Sequence, residues 1–352
     1  MKHKQPKLNK TRQELIDSFV GCLNEEKLPW RRGWNVTGLS LMRNAVSKTA
    51  YHGCNAFLLM MVASIRGYDD PRWCTYKQAS DNGWQVKKGA KGAPVEYWTV
   101  YDKKHKKNIS FDDYHDEVVN KGRDEKEFSI ISRTYTVFNA NCIDGIPPLE
   151  QKDPQKLNDI EMNQFVGNIK DNMQVGYKEF GDRAFYSPSV DTVTMPPRSQ
   201  FLNQHEFDAT LLHELAHATG HESRLNRDLH HRFGSEGYAV EELRAEISSA
   251  FLTQYIEIDL NCEHLDNHKA YIQSWSSVLK KDPNILFAAI KDAEAISDYM
   301  IELGEPERIL ENAQEETKKP SLDSVINDAH ERSDAINNGA SREQSERDNT
   351  SR

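Results

Sequence analysis

The chain has 352 residues, a net charge of −10 and 28% charged residues, which indicates a polar protein long enough for two domains and a tail. The longest apolar run, 57–63, is far shorter than the roughly 20 residues of a membrane helix, so we expect no membrane-spanning segment. Five widely spaced cysteines without a C-x-x-C pair argue against a disulfide framework and a cysteine zinc site. The basic N-terminus lacks a following apolar segment, so we expect no signal peptide and a cytoplasmic location.

Charge is distributed unevenly along the chain. Residues 1–108 contain 20 lysines and arginines against 9 acidic residues, a balance of +11, whereas the remaining residues contain 25 against 46, a balance of −21. This asymmetry favours two domains with separate partners, the basic one facing a polyanion.

Hydrophobic periodicity predicts an α+β protein with an N-terminal α/β domain and a mainly helical C-terminal domain. The helical spacing predicts helices at 11–28 (with Thr11 as N-cap), 55–64, 75–82, 159–172, 204–219, 238–255, 268–279 and 283–301. Alternating patterns predict strands at 95–101, 132–138, 184–186 and 192–195. The predicted organisation is a flexible basic terminus (1–10), a first domain (11–146), a linker (147–158), a second domain (159–305) and a disordered acidic tail (306–352).

The sharpest motif is His213-Glu214-Leu215-Ala216-His217, an H-E-x-x-H sequence within a predicted helix. Two histidines four positions apart are offset by only about 40° around a helix, so both imidazoles can reach one metal ion. Glu214 is placed to act as general base, because it lies beside the first ligand and can accept a proton from the attacking water. The motif therefore indicates a metallopeptidase-type site.

A catalytic zinc site takes three protein ligands and one open position, so a third ligand is needed. Our first choice is Glu246, because it lies among apolar residues of the next predicted helix and a carboxylate on a buried face needs a partner. Glu242 and His221 are the alternates, and Glu241 is expected to face solvent. The favoured set is gluzincin-like, and its N and O donors admit Zn²⁺ first, with Mn²⁺ or Co²⁺ also possible.

The basic front of the chain is also rich in tryptophan, since five of the six tryptophans lie between residues 30 and 98. We expect Trp73, Trp84 and Trp98 to lie in the core, and Trp30 and Trp34 to lie in an exposed loop. Cations that follow phosphates and aromatic rings that stack on bases are typical of single-stranded nucleic-acid binding. The candidate DNA contacts are Trp30, Arg31, Arg32, Trp34, Arg43, Asn44, Lys48, Tyr51, Asn55, Arg72, Lys77, Lys87, Lys88 and Lys91.

Several segments in order make the chain similar to the ArdC antirestriction family. They include Leu28-Pro29-Trp30-Arg31-Arg32-Gly33-Trp34, Asp70-Pro71-Arg72-Trp73-Cys74-Thr75-Tyr76, the H-E-x-x-H helix and residues 241–252, and together they cover about residues 10–300. The resemblance implies an N-terminal single-stranded-DNA-binding domain fused to a C-terminal zincin-like metallopeptidase domain. It also implies a role in protecting incoming plasmid DNA from host restriction during conjugation.

Three hypotheses about function remain. In the first, the chain binds single-stranded DNA and carries a zinc site competent in proteolysis, with a host restriction component as a possible protein substrate. In the second, the chain protects DNA by binding it and the metal site is vestigial or structural. In the third, the chain is a zinc peptidase whose basic domain only targets it. The sequence leaves the oligomeric state open.

Overall fold

A computed structural model of the chain describes residues 9–25, 41–149, 157–232, 234–256 and 268–318. The described residues up to Gly304 form one compact unit, and those from Glu305 onward form another. The first unit combines helices with three β-sheets, which confirms the predicted α+β class.

The N-terminal part of the first unit is built around a five-stranded sheet. Its strands are β1 (Arg43–Asn44), β2 (Arg72–Thr75), β4 (Ala93–Asp102), β5 (Lys107–Ile109) and β6 (Phe128–Asn139), while β3 (Gln85–Val86) and β7 (Ile143–Asp144) form a separate pair. The strand order is β1-β2-β6-β4-β5, and β4 and β6 pair antiparallel over ten residues each. This ladder is the longest in the sheet, and it sets the register of β4 against β6.

Four helices accompany this sheet: α1 (Lys10–Asn24), α2 (Gly53–Arg66), α3 (Tyr76–Asp81) and α4 (Phe111–His115). Helix α1 begins earlier than predicted, because the side chain of Asn9, rather than Thr11, caps it by accepting from the backbone N–H of Arg12 at 3.0 Å. Helix α2 ends at Arg66 and is capped by Gly67, whose φ of 68° is a left-handed conformation that glycine adopts readily.

The C-terminal part of the unit is mainly helical, as predicted. Its helices are α5 (Asp159–Met173), α6 (Gln204–Ala218), α7 (Glu236–Ile256), α8 (His268–Lys281) and α9 (Asn284–Gly304). A three-stranded sheet, ordered β8-β10-β9, lies between α5 and α6 in the chain and comprises β8 (Gly176–Glu179), β9 (Phe185–Ser187) and β10 (Thr192–Met195).

One hydrophobic cluster includes side chains from both parts of the unit. The ring of Phe57 on α2 is fully buried, with its centroid 6.1 Å from that of Phe19 on α1 and 6.1 Å from that of Phe251 on α7. The backbone N–H of Gly53, at the start of α2, donates to Glu294 Oε1 of α9 at 2.7 Å. The basic part and the part that contains the H-E-x-x-H helix are therefore stabilised by the same core.

The segment that we predicted to link the domains lies mostly outside the described residues, which resume at Leu157. The segment predicted to be a disordered tail differs from the structure at its start, because residues Pro306–Lys318 form a further helix, α10. Residues 319–352 lie outside the described part.

Candidate metal centre and DNA-binding residues

Helix α6 presents its two motif histidines on one face. The side chain of Asn203 caps the helix by accepting from the backbone N–H of Glu206 at 2.8 Å, and buried leucines fix its rotation. As the four-residue spacing requires, the imidazoles of His213 and His217 meet, with Nε2 atoms 3.2 Å apart and ring planes at 86°. Both nitrogens point at the same volume between α6 and α7.

Helix α7 places the carboxylate of Glu242 opposite these nitrogens. Glu242 Oε2 lies 3.5 Å from His213 Nε2, and Glu242 Oε1 lies 3.6 Å from His217 Nε2. Potential ligand atoms of the three residues lie within 4.8 Å of one another. The first choice from sequence, Glu246, is buried but is not part of this group, whereas its alternate Glu242 is. Glu242 and Glu246 share a face of α7 but lie about 6 Å apart along the helix axis, and this offset decides which of them lies near the histidines.

The spacing of these atoms fits a divalent ion. Zinc bonds of about 2.0–2.1 Å in a tetrahedron place neighbouring ligand atoms about 3.3 Å apart. The separations of 3.2, 3.5 and 3.6 Å around His213, His217 and Glu242 lie close to that value. Two imidazoles and one carboxylate also form a donor set that catalytic zinc sites use. The residues present therefore fit the ion that the motif implies.

Glu241 orients one of the histidines. Its Oε1 lies 3.3 Å from His217 Nδ1, so Nδ1–H can donate to Glu241 and leave the Nε2 lone pair directed at the site. Glu241 also accepts from Arg227 Nη2 at 2.6 Å and from Arg244 Nη1 at 3.2 Å. The prediction that Glu241 faces solvent is wrong, since it is 5% exposed. Arg227, which belongs to the loop after α6, was missed because no motif marks it.

Charges within this cluster stabilise one another. Burial alone would lower the pKa of His217, but the carboxylates of Glu242, Glu241 and Glu214 outweigh burial and raise that pKa above its ordinary value. Burial likewise opposes ionisation of Glu242, yet the imidazoles of His217 and His213 hold its pKa below its ordinary value. The carboxylate form, which is the form that binds metals, is therefore favoured at neutral pH.

Glu214 lies beside the cluster in a different electrostatic environment. It is 8% exposed, and burial raises its pKa despite the neighbouring imidazoles and a hydrogen bond from the backbone of Tyr186 on β9. The Tyr186 hydroxyl donates to Asp191 at 2.7 Å, and Asp191 is paired with Arg224, so this end of β9 is tied to the loop after α6. A buried glutamate beside the candidate ligands is placed to accept and return a proton.

The other candidates near the centre are placed differently. Helix α6 ends at Ala218, and His221 in the following loop bonds Ser223 Oγ through Nδ1 at 2.8 Å, outside the three-residue group. The side chain of Tyr238 on α7 forms a hydrogen bond with Glu242. Tyr238 is therefore close enough to the centre to orient its carboxylate.

The strongest sequence candidates for DNA contact, Trp30, Arg31, Arg32 and Trp34, lie outside the described residues. Among the described candidates, several side chains are used by the fold. Arg72 is 8% exposed and forms an ion pair with Asp70 at 2.6 Å, which leaves its guanidinium unavailable to a phosphate. Asn55 bonds both backbone groups of Glu96, at 2.7 and 2.8 Å.

Asn44 and Tyr51 also have internal roles. Asn44 Oδ1 accepts from the backbone N–H groups of Val46 and Ser47, and its amide donates to Gln78 at 3.2 Å. Tyr51 is half-buried against the hydrophobic cluster, where burial raises the pKa of its hydroxyl. The side chain of Arg43 is likewise half-buried. These residues position the start of the sheet.

The lysine candidates, by contrast, lie on the surface. Those that are exposed are Lys48, Lys77, Lys87, Lys88 and Lys91. Of the tryptophans expected in the core, Trp73 is fully buried and Trp84 half-buried, whereas Trp98 is 42% exposed, which corrects its assignment. In the described part of the chain, helices with the length and apolarity of a membrane span are absent.

Two family matches coincide with the two parts of the fold. Residues 9–138 match the N-terminal domain of the anti-restriction factor ArdC, and residues 161–292 match the zincin-like metallopeptidases. The second match contains His213, Glu214, His217 and Glu242.

Relatives of known name divide into longer and similar-sized proteins. A DNA primase TraC of Escherichia coli is 40% identical over 82% of this chain, which spans 19% of the primase's length. The uncharacterized protein y4eC of Sinorhizobium fredii is 32% identical over 82% of this chain and 89% of its own.

Two solved structures resemble the fold over most of the chain. The crystal structure of the antirestriction ArdC protein from the R388 plasmid in its Mn(II)-bound form has a TM-score of 0.65 and 30% identity, covering 84% of this chain and 98% of that one. The metal-free form of the same protein has the same TM-score, with 29% identity and the same coverage.

Proposed function

Because this chain belongs to the ArdC antirestriction family, we propose that it binds single-stranded DNA and protects incoming plasmid DNA from host restriction during conjugation. We further propose that its zincin-like domain is a metallopeptidase, with a host restriction component as a possible protein substrate. The observation that carries this proposal is the convergence of two imidazoles and one carboxylate beside a buried glutamate of raised pKa.

The proposed ligands are His213, His217 and Glu242, holding zinc or one of the other cations that the donor set admits, manganese or cobalt. A divalent ion in such a site supplies Lewis-acid polarisation of a peptide carbonyl and acidifies water. Glu214 accepts a proton from the attacking water and returns it to the leaving amine. Glu241 keeps His217 in the tautomer that presents Nε2.

The DNA-binding half of the proposal is supported by the balance of +11 over residues 1–108 and by the exposed lysines of the N-terminal domain. Exposed cations neutralise phosphates and release counterions, which gives affinity without sequence preference. The membership of the family supports the same assignment.

Metal content measured by plasma mass spectrometry tests the ligand set. We expect about one ion per wild-type chain, and severe loss of the ion in His213→Ala and Glu242→Gln. Glu246→Gln is the matched control, because it changes a buried carboxylate one turn away on the same helix. If Glu242→Gln kept the ion and Glu246→Gln lost it, the third ligand would be Glu246, as first predicted from sequence.

Glu214→Gln separates a working peptidase site from a structural one. This variant keeps the three ligands and removes the general base, so we expect normal metal content together with loss of DNA protection in recipient cells. Unchanged protection would favour the DNA-binding protector with a structural metal site.

Binding of labelled single-stranded and double-stranded oligonucleotides at two salt concentrations tests the remaining hypothesis. We expect the full chain to bind the single strand and to lose affinity as salt rises. Absence of salt-sensitive binding would leave a zinc peptidase whose basic domain has another target.

A further inference from the structure

The long ladder between β4 and β6 sorts its side chains into two faces. In an antiparallel ladder, residues directly opposite each other project to the same face, and neighbours along a strand alternate. The face defined here as the tyrosine face is formed by Ala93, Val95, Tyr97, Thr99, Tyr101, Ser129, Ile131, Arg133, Tyr135 and Val137. The opposite face is formed by Pro94, Glu96, Trp98, Val100, Asp102, Phe128, Ile130, Ser132, Thr134 and Thr136.

The middle of the tyrosine face is open to solvent. Tyr97 is 59% exposed and Tyr135 is 41% exposed, and their rings contact edge to face with centroids 6.3 Å apart and planes at 75°. Arg133 is exposed and lies directly across the ladder from Tyr97. At one end of this open stretch Val95 and Val137 are buried in the core, so the three side chains project from a rigid base.

The two faces differ in charge. The tyrosine face contains one arginine and no acidic residue. Within the described part of the chain, the guanidinium of Arg133 forms neither an ion pair nor a hydrogen bond. The opposite face contains Glu96 and Asp102 and no basic residue. The open part of the tyrosine face is therefore complementary to an anion.

The exposed aromatic residue of the opposite face, in contrast, is held by the fold. Trp98 is 42% exposed, but its Nε1–H donates to Glu96 Oε2 at 2.9 Å, and the guanidinium of Arg12 lies 5.8 Å from its ring centroid. Glu96 is in turn paired with Arg12 at 3.2 Å. The exposed ring of Trp98 is thus already occupied, whereas the rings of Tyr97 and Tyr135 are available to a ligand.

We propose that Tyr97, Arg133 and Tyr135 form a platform on which unpaired bases of a DNA strand stack, with Arg133 binding the adjoining phosphate. This proposal rests on the proposed single-strand binding and names three described residues of the sheet as a surface for it. Aromatic rings on a sheet stack bases without sequence preference, because every base has a π-face. Rings at 75° stack bases that are splayed apart, which an unpaired strand allows and a stacked duplex does not.

Fluorescence anisotropy of the full chain with a labelled oligothymidylate tests the platform. We expect Tyr97→Ala with Tyr135→Ala to raise the dissociation constant by about tenfold or more, and the corresponding pair of phenylalanine substitutions to leave it nearly unchanged. The control is Phe180→Ala, which removes a 75% exposed ring from the C-terminal domain. Arg133→Ala should also reduce the salt dependence by about 0.7 in the log–log slope.

The outcomes distinguish this proposal from the proposed function. Wild-type binding that survives the double alanine change would overturn the platform and leave single-strand binding in place elsewhere on the chain. Absence of wild-type binding would overturn both. The wild-type chain could also bind polyglutamate as tightly as the oligonucleotide and lose that binding in the double alanine variant. The tyrosine face would then be a surface for acidic proteins, and the platform would be overturned.

Photocrosslinking provides a measurement that needs no variant. With 5-iodouracil in the strand, we expect crosslinked peptides that contain Tyr97 or Tyr135. Crosslinks found only outside residues 93–102 and 128–139 would overturn the platform even if the alanine variants do not fold.

Discussion

The two domains place their candidate functional side chains in opposite ways. In the C-terminal domain, His213 and Glu242 are buried and His217 is half-buried where two helices meet, and neighbouring carboxylates and arginines restrain them. In the N-terminal domain the side chains available to a ligand are exposed, while Arg72 and Asn55 are used within the fold. The first arrangement concentrates function in a few positioned atoms, and the second distributes it over a surface.

This contrast depends on the shared core, so breaking that core should have the largest effect. We expect Phe57→Ala to lower the free energy of unfolding by about 3–5 kcal/mol, because it leaves a cavity between α1, α2 and α7. Urea denaturation followed by circular dichroism should show both domains unfolding in one transition at a lower midpoint.

The control for the core is Ile65→Ala, which changes a 51% exposed side chain of the same helix and should cost about 0.5 kcal/mol or less. If the C-terminal domain of Phe57→Ala unfolded at its wild-type urea midpoint, the two domains would not stabilise each other.

Positioning of His217 should have the next largest effect. We expect Glu241→Gln to weaken metal affinity by about 10–100-fold, because His217 loses the carboxylate that fixes its tautomer. Competition with a chelating dye measures this affinity. Glu236→Gln, near the start of the same helix and 64% exposed in its side chain, should leave affinity unchanged. Equal effects of the two changes would remove Glu241 from the centre.

A charged network in the N-terminal domain is expected to make the stability of that domain sensitive to acid. Hydrogen bonds from Arg123, at 2.7 and 3.1 Å, hold the pKa of Asp102 far below its ordinary value, and His105 adds a further bond at 2.7 Å. Because the folded pKa is depressed, the stabilisation is complete above about pH 4 and is lost as pH falls toward the folded value.

Asp102→Asn should therefore lower the melting temperature at pH 7 and flatten its decline at acid pH. The control Asp81→Asn changes an exposed aspartate and should reproduce the wild-type profile. A wild-type acid profile in Asp102→Asn would show that this network does not contribute to stability.

The longer helices up to residue 304, and the placement of the motif histidines on one of them, could be predicted from sequence because hydrophobic periodicity is local, whereas α4 and α10 were missed. The fold class was also predicted. The proposed third ligand could not be predicted: spacing identified the face that carries Glu242 and Glu246, but the crossing of α6 and α7 decides which turn lies near the histidines. Burial of Glu241 depends on Arg227 from a loop distant in sequence. Exposure of Trp98 likewise depends on which part of a strand neighbouring elements cover.

The smallest expected effect tests whether binding by the N-terminal domain is distributed. Lys88 is exposed, so Lys88→Gln should leave folding unchanged and reduce the log–log salt dependence of single-strand binding by about 0.7, the contribution of one phosphate contact. Lys178→Gln removes an exposed lysine of the C-terminal domain and should not alter that slope. Loss of binding altogether in Lys88→Gln would contradict a distributed surface, because a single lysine would then be as critical to its domain as His213 is proposed to be to the metal centre.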